Sequence, residues 1–482
     1  MARKYKRTEH GAIRGAMAAR RQNGDWAMRT EGAMGLGKWN IGWNWTLMVL
    51  ALGGIGCVPA YGEDLAQVYL LSKDSDPKYR AGRFEFEAIG YAEPQALAAL
   101  LPNVSIEASQ IDTRQRIINS ANTVFATGMS RYPTRNMTLT LTQPIFKIPA
   151  WHGYEQAKTK VKQAAANFAS LEQDLMLRAA TAYLNVLAAR DALGFAEAER
   201  DAIKRQLDLV QQRFSSGLVA RVGLHEAKAR YELKEADVVA ARNDLDDKLQ
   251  ALREMTGKLL VSLKPLREEF PLEQPNPPEI SQWIEAGLQQ NLMLTARRHG
   301  VEVAQQEISR QRSGHVPVVD LVVTQNGKVT GGSLFGGGSN VDTTDVMLRL
   351  TIPVYSGGAT VALSEEAAKR YQAALEDLER DVRQIERQTR AAFQGVTGGT
   401  VRIKALAQGV TSSLSARELK LEGYKSGLET IIQVLDAERD LYAAKRDSAK
   451  ARYDYLLNRL RLKQAVGTLS ENDLVETNRL MQ

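Results

Sequence analysis

Four short stretches of the chain alternate between apolar and polar residues, as half-buried β-strands do. The clearest is 136–142, where Met137, Leu139 and Leu141 alternate with asparagine and threonine. A second clear alternation, with Leu348 and Leu350 among its apolar residues, ends near residue 352, and a weaker one precedes each of the two. The pattern predicts four strands, at about 103–114, 134–143, 316–326 and 343–352.

Beyond each pair of strands the apolar spacing becomes that of a helix. Segments 154–214 and 360–424 are rich in Ala, Leu, Glu, Arg and Gln and contain no proline, so helix propensity is high throughout. Each ends in a Ser-Gly turn and is followed by a second helical stretch. We therefore expect each half of the chain to open with strands and to continue into a long helical hairpin, at 150–257 and 358–467.

The two halves are similar in sequence at a nearly constant offset. Segment 213–218 matches 423–428, and 252–257 matches 462–467, both at an offset of 210 residues. Such a period is far longer than that of solenoid repeats, so a tandem duplication explains it best.

Prolines separate the two copies. Five of the 14 prolines lie within 265–278, which we interpret as a stiff linker. The predicted organisation is a signal peptide (1–62), a first repeat (63–264), the linker (265–278), a second repeat (279–475) and a C-terminal tail (476–482).

The N-terminal 62 residues have the features of an export signal. The apolar run at 45–58 has the length of a signal-peptide core and is too short to span a bilayer as a helix. Ala60 and Gly62 place small residues at positions −3 and −1 of a cleavage site before Glu63. The leader is unusually long, and Met34 would begin one of conventional length.

Because of the export signal, we expect the mature chain to be located in the envelope of a Gram-negative cell. After Gly62 no run of 18 apolar residues occurs, so the mature chain has no candidate transmembrane helix. A closed β-barrel is then the remaining way to cross a membrane, and four strands cannot close one. Two copies would give eight strands with a filled interior, and three would give twelve with room for a pore. The alternative is a soluble hairpin packed on a helix.

Composition and charge exclude several classes of function. The leader contains nine of the 63 basic residues and three of the 56 acidic residues. Most of the net charge of +7 therefore lies in that segment. The nearly neutral remainder does not predict nucleic acid as a partner. The chain has no phosphate-binding glycine motif or hydrolase elbow, and its five histidines are scattered. We therefore expect no enzyme activity, no cofactor and no metal site.

The single cysteine, Cys57, excludes a disulfide framework. It also leaves open an alternative to signal cleavage before Glu63, in which Cys57 becomes the acylated N-terminus of a lipoprotein. The preceding residues Gly54, Ile55 and Gly56 lack the usual leucine of a lipobox, which favours cleavage before Glu63.

Several segments resemble the TolC family of outer-membrane channel proteins. The closest is 451–474 (ARYDYLLNRLRLKQAVGTLSENDL), preceded by 427–442 (GLETIIQVLDAERDLY). Segments 217–227 and 141–146 also resemble family positions, and the similarity extends over essentially 63–475. The resemblance implies an α+β membrane protein: a homotrimer with a twelve-stranded outer-membrane β-barrel, four strands per chain, continued into a periplasmic α-helical barrel.

The resemblance also implies partners. A family member is an exit duct that works with a periplasmic adaptor protein and an inner-membrane transporter, and outer-membrane lipid surrounds its barrel. Segments 141–146 and 265–271 look more like the branch that serves type I secretion, with an ABC transporter and a secreted protein substrate. An efflux channel for drugs or metals is the first alternative. A periplasmic coiled-coil scaffold is the second, although a scaffold would not need the alternating strands.

The family resemblance implies a gate where the helical hairpins turn. In the member that gives the family its name, a Tyr and an Arg of the second hairpin meet a Thr-Asp pair of the first, and two Asp ring the aperture. Here Tyr424 and the ring residue Asp436 are retained, whereas Glu429 replaces the Arg and Gln433 the other ring Asp. Val222 and Gly223 replace the Thr-Asp pair, and Arg221 beside them is a candidate partner for Glu429 with the charges exchanged. Asp436 is expected to form a ring of three negative charges.

The resemblance places the adaptor contact at the two hairpin tips. The residues concerned form the Ser-Gly-Leu turns of the two repeats: Ser216, Gly217, Leu218, Ser426, Gly427 and Leu428.

Overall fold

The computed structural model describes residues 63–119, 128–332 and 337–481. The expected signal peptide, with Met34 and Cys57, lies outside the described residues. Within them the chain forms ten α-helices and four β-strands. In chain order these are α1 (Leu65–Ser75), α2 (Pro77–Gly90), α3 (Ala92–Ala98), β1 (Asn103–Ile117), β2 (Gly128–Phe146), α4 (Ile148–Ser215), α5 (Arg221–Thr256), α6 (Ile280–Gln290), α7 (Leu292–Arg312), β3 (Val318–Thr330), β4 (Ser339–Thr351), α8 (Ala359–Lys425), α9 (Ile431–Val466) and α10 (Glu471–Asn478).

Each half opens with helices, so the expectation that strands come first is wrong. Helices α1–α3 precede β1, and α6 and α7 precede β3. Local signals support these helices: the Asn291 side chain caps α7 by accepting from the Leu294 N–H at 3.1 Å, and Arg310 and Arg312 lie in its last turn. The segment expected as a tail is also structured, because α10 reaches Asn478 and the buried Met481 pairs with Leu266.

The four strands form one antiparallel sheet in the order β1-β2-β3-β4. Its strands run further than predicted, mainly at the ends where polar residues and glycines obscure the alternation. Strand β3 continues to Thr330 and β4 begins at Ser339, four residues beyond each of the bounds predicted for these two strands.

The sheet has one polar and one apolar face. Leu139 is paired with Ile106 on β1, and the residue next to it, Thr138, lies on the opposite face with Asn326. We call the face of Leu139 the outer face and that of Thr138 the inner face. Apolar residues lie on the outer face at the end of the sheet that adjoins the long helices. They include Val104, Ile106, Met137, Leu139, Leu141, Val323, Val346, Leu348 and Leu350. Thr140 and Arg349 belong to the inner face, as expected from the sequence.

Two very long helical hairpins extend from the sheet. Helix α4 has 68 residues and α8 has 67, and each is on the order of 100 Å long at 1.5 Å per residue. Each pairs with a returning helix of 36 residues, α5 or α9. The turns require glycine, because Gly217 and Gly427 adopt left-handed φ values of 72° and 81°. None of the described helices combines the length and apolar character needed to cross a membrane.

A central core lies about halfway along the hairpins. It contains Tyr183, Leu184 and Leu187 of α4 together with side chains of α1, α5 and α9. Alanines such as Ala179 and Ala180 are fully buried there, which lets the helices pack closely.

The proline-rich segment 265–278 packs onto this core as a strap. The Tyr455 hydroxyl donates to the Glu273 carbonyl at 2.8 Å and accepts from the Glu273 N–H at 2.9 Å. The Gln274 side chain donates to the Thr400 hydroxyl of α8 at 2.7 Å. The expected stiff linker is therefore also fixed to α8 and α9 by side-chain contacts.

Candidate functional site

Near the tips, the two hairpins of one chain share a small hydrophobic core. We call it the tip core, and it draws on all four long helices. Its buried members are Ile203, Val210, Ala227, Tyr424, Ile431, Val434 and Leu435. Because helices of both hairpins contribute, separating the hairpins at this level would expose apolar surface to water. The tip core therefore resists separation of the two hairpins.

Tyr424 links the second hairpin to the first. Its side chain is only 6% exposed, and the Arg213 guanidinium of α4 lies over its ring at 4.7 Å from the centroid. Arg213 also donates to the Tyr424 carbonyl at 3.3 Å. A cation–π contact of this kind contributes about 0.5–2 kcal/mol. The tyrosine that the family resemblance singled out thus has its charged partner on α4, which the sequence analysis did not anticipate.

Asp436 does not present an uncompensated charge in this structure. Its carboxylate lies 3.0 Å from the Arg230 guanidinium of α5 and 3.5 Å from that of Arg439. The ring of three Asp436 carboxylates stays a prediction, but within this chain the carboxylate has a cationic partner on the first hairpin. Since Arg230 belongs to the first hairpin and Asp436 to the second, their contact is a second link between the hairpins.

Gln433 and Glu429 have partners within the second hairpin. The Gln433 side-chain oxygen Oε1 accepts from the Thr430 backbone N–H at 2.7 Å, and the Thr430 hydroxyl accepts from the Gln433 backbone N–H at 3.4 Å, which caps α9. Glu429 accepts from Lys420 of α8 at 2.7 Å. The expected pairing of Glu429 with Arg221 is not formed in the described structure. Arg221 is exposed at the start of α5.

A buried carboxylate that the sequence analysis missed joins three helices. Glu199 of α4 is 1% exposed, and its oxygens lie 3.0 Å from Lys234 of α5 and 2.9 Å from Arg446 of α9. Burial opposes the charge of Lys234, but hydrogen bonds to Asp237 and Glu199 outweigh it, so the pKa of the Lys234 ammonium lies above its ordinary value. The lysine therefore stays charged at neutral pH.

A second buried carboxylate lies in the same region. Glu438 of α9 is also 1% exposed and accepts from the Arg417 guanidinium of α8 at 2.7 Å. We call the ion-paired residues above the tips the ion-pair belt; its members are Glu199, Arg230, Lys234, Arg417, Asp436, Glu438 and Arg446. The belt and the tip core together hold the two hairpins against each other.

One sequence signal could have identified Glu199. It falls on the helical stripe that contains Ala196, Ala202 and Ile203, all of which are buried. An acid on an otherwise apolar stripe must be paired if the helix is packed, since an isolated buried charge is costly. The sequence does not, however, indicate which cations would lie opposite.

The hairpin tips themselves are exposed. Ser216 and Ser426 donate to carbonyls one turn earlier, of Gln212 at 3.1 Å and Glu422 at 3.0 Å, and so stabilise the turns. Leu218 and Leu428, which follow the two glycines, are 76% and 85% exposed. Each chain therefore presents two apolar side chains at its extreme end.

Comparison with known proteins now gives this arrangement a context. Residues 69–258 and 283–468 match the family described as outer membrane efflux protein, one match in each half of the chain. The chain belongs to this family. The resemblance stated from the sequence is thereby confirmed.

Relatives in the family include channels and secretion proteins. The outer membrane protein TolC of Vibrio cholerae is 33% identical over 442 residues, which cover 90% of this chain and 97% of that protein. The proteases secretion protein PrtF of Dickeya chrysanthemi is 30% identical over 432 residues, covering 89% and 93%. The first of these names describes an outer membrane protein and the second a secretion protein.

Solved structures show the same fold. The CmeC outer membrane channel of Campylobacter jejuni superposes with a TM-score of 0.73 at 16% identity, covering 87% of this chain and 90% of that one. The predicted α+β channel fold is thus confirmed. Family membership also establishes the location: the protein belongs to the Gram-negative outer membrane, reaches into the periplasm, and is a channel of the efflux and secretion type.

Proposed function

We propose that the protein is the exit duct of a tripartite type I secretion system. In this proposal a trimer receives an unfolded protein from an inner-membrane ABC transporter and a periplasmic adaptor, and passes it to the exterior. The observation that carries the proposal is the similarity to PrtF and to the alkaline protease secretion protein AprF, which is 28% identical over 417 residues.

The edges of the sheet support assembly with further copies of the chain. Strands β1 and β4 are its edges, and each edge leaves a row of backbone groups without partners in a single chain. In lipid such groups must be paired, so β4 of one copy is expected to pair with β1 of the next. Three copies close twelve strands around a water-filled interior, with the outer face toward lipid.

Leu139→Arg is expected to destabilise the assembled barrel far more than Thr138→Arg. An arginine on the lipid-facing side near the bilayer midplane costs about 2–4 kcal/mol, whereas the same side chain on the inner face meets water. The measurement is the denaturant midpoint of the reconstituted protein and the yield of heat-resistant trimer. Thr138→Arg is the matched control, one residue away on the opposite face. Equal yields and midpoints for the two variants would show that the faces are assigned wrongly.

Adaptor docking is proposed at the tips. Leu218 and Leu428 are the most exposed apolar side chains of the two turns, and three copies present six of them in one plane facing the inner membrane. Apolar anchors of this kind often contribute most of the energy of a protein interface. The serines and glycines beside them fix the turns that project the leucines.

Secretion in a reconstituted system provides the test. The channel is expressed in a strain without its own channels of this family, together with a protease-type ABC transporter, adaptor and cargo. We expect cargo in the medium, and we expect Leu218→Glu with Leu428→Glu to reduce it by about tenfold or more, since losing two anchors costs at least about 1.4 kcal/mol. Heat-resistant trimer should be unchanged. Absence of cargo with the wild-type channel would contradict the secretion assignment.

Drug or metal efflux is the second candidate. The TolC relatives and the outer membrane efflux protein BepC of Brucella suis, 23% identical over 321 residues, favour it. The same strain, given an efflux transporter and its adaptor in place of the secretion pair, would regain drug resistance if efflux is the function.

A further inference from the structure

A cluster of arginines lies on the outer face of the sheet, beyond its apolar rows. Arg114 of β1 is directly opposite Arg131 of β2 in the strand register. Arg116 lies two residues further along β1, and Arg135 lies between Arg131 and the apolar Met137 on β2. All four arginine side chains are exposed.

The register places these arginines on the same side of the sheet as the lipid-facing leucines. Arg131 and Arg135 are separated from Leu139 by even numbers of residues, so their side chains leave the same face. The intervening Tyr132 is half-buried on the inner face, where its hydroxyl donates to Gln115 at 3.3 Å. The arginines therefore face away from the channel interior.

The charge of the cluster is not balanced within the described chain. On this part of the outer face the acid nearest in register is Asp112, opposite Pro133, and none of the four arginines forms an ion pair with a described residue. Like charges directly opposite each other destabilise a strand pair. The Arg114–Arg131 pairing thus opposes sheet formation unless an anion lies between the two side chains.

The cluster lies at the height of lipid headgroups. Each residue advances a tilted barrel strand by about 2.5 Å along the membrane normal. Arg135 is then about 5 Å, and Arg131 about 15 Å, beyond Met137, which ends the apolar row around Leu139; Met129 lies still further out, opposite Arg116. The other end of β2 leads into the periplasmic helix α4, so the arginines lie on the side of the cell exterior.

We propose that this arginine cluster binds the phosphate groups of the phosphorylated glycolipid, lipid A, that forms the outer leaflet. Guanidinium groups bind phosphate through paired, charge-assisted hydrogen bonds. A phosphate between Arg114 and Arg131 turns their repulsion into a shared contact, and Arg116 and Arg135 provide further donors on either side. Three copies of the chain give three such sites around the barrel.

Lipid binding to the reconstituted full-length trimer tests the proposal. The probe is bisphosphorylated lipid A in nanodiscs, with dephosphorylated lipid A and phosphatidylglycerol as comparison lipids, and bound lipid is counted by native mass spectrometry. We expect Arg114→Gln with Arg131→Gln to weaken binding of the bisphosphorylated lipid by about tenfold or more. The matched control, Lys328→Gln with Arg349→Gln, removes two charges from the inner face and should leave binding unchanged.

A second measurement separates binding from folding. In detergent without lipid, Arg114→Gln with Arg131→Gln should leave the heat resistance of the trimer equal to or above that of the wild type, because a repulsive pair is lost. Lipid A should raise the heat resistance of the wild type and of the inner-face control, but not that of the arginine variant. Equal retention of lipid by both variants, or equal binding of dephosphorylated lipid or phosphatidylglycerol to the wild type, would overturn the proposal.

Discussion

Arg230→Glu is expected to shift the channel from a mostly closed to a mostly open state. Arg230 and Asp436 are 24% and 37% exposed at their side chains, so one pair contributes only about 0–1 kcal/mol. Three copies in a trimer contribute up to about 3 kcal/mol, which corresponds to a change of up to about 100-fold in the ratio of closed to open channels. The reversed charge also adds repulsion between the two hairpins. Single-channel recording in planar bilayers measures the result as increased conductance or open time.

A double variant with both charges reversed provides a rescue experiment. Combining Arg230→Glu with Asp436→Arg restores opposite charges across the same two helices, and closure should return. Neutral Asp436→Asn should open the channel less than Arg230→Glu does, because it removes attraction without adding repulsion. Wild-type conductance in Arg230→Glu, or no recovery in the double variant, would show that this pair does not control the gate.

Glu199→Ala is expected to cause the largest loss of stability of any single change in the ion-pair belt. The substitution leaves Lys234 and Arg446 without their shared carboxylate, and removing one partner of a buried pair costs about 3–5 kcal/mol. Guanidinium-induced unfolding of the reconstituted protein, followed by tryptophan fluorescence and by protease sensitivity near the tips, gives the midpoint shift.

An exposed pair on α8 provides the control. Glu386 and Arg390 are neighbours one helical turn apart, with side chains 41% and 52% exposed, so Glu386→Ala should change stability by no more than about 0.5 kcal/mol. If Glu199→Ala and Glu386→Ala shift the midpoint equally, the buried carboxylate does not hold the helices together.

The overall architecture could be predicted because it follows from local patterns. Alternation around Leu139 identified a strand and its two faces, and the apolar spacing and absence of proline identified the long helices. The Ser-Gly turns located the ends of the hairpins. Helices α1 and α7 were missed because helices were assigned only to the long proline-free segments, and both lie outside them.

The contacts near the hairpin tips could not be predicted in the same way. Arg446 and Glu199 are 247 residues apart in sequence, and no periodicity relates them. The family resemblance drew attention to Asp436 and Gln433 but did not reveal that Arg230 compensates the first and that the second caps a helix. Such roles depend on which helix faces lie opposite each other, and that is decided only when the hairpins pack.

The strap over the central core has a mechanical consequence. It fixes the segment between the two repeats to α8 and α9 about midway along the hairpins, where Leu187 and Tyr455 are also buried. The lower half of α4, from Leu187 to Ser215, is then a lever of about 42 Å with its fulcrum at the central core. A tilt of about 5° at the fulcrum would displace the tip by about 4 Å, comparable to the length of an ion pair. Small changes in packing at the middle of the molecule would therefore be amplified into the separation of charges at its end.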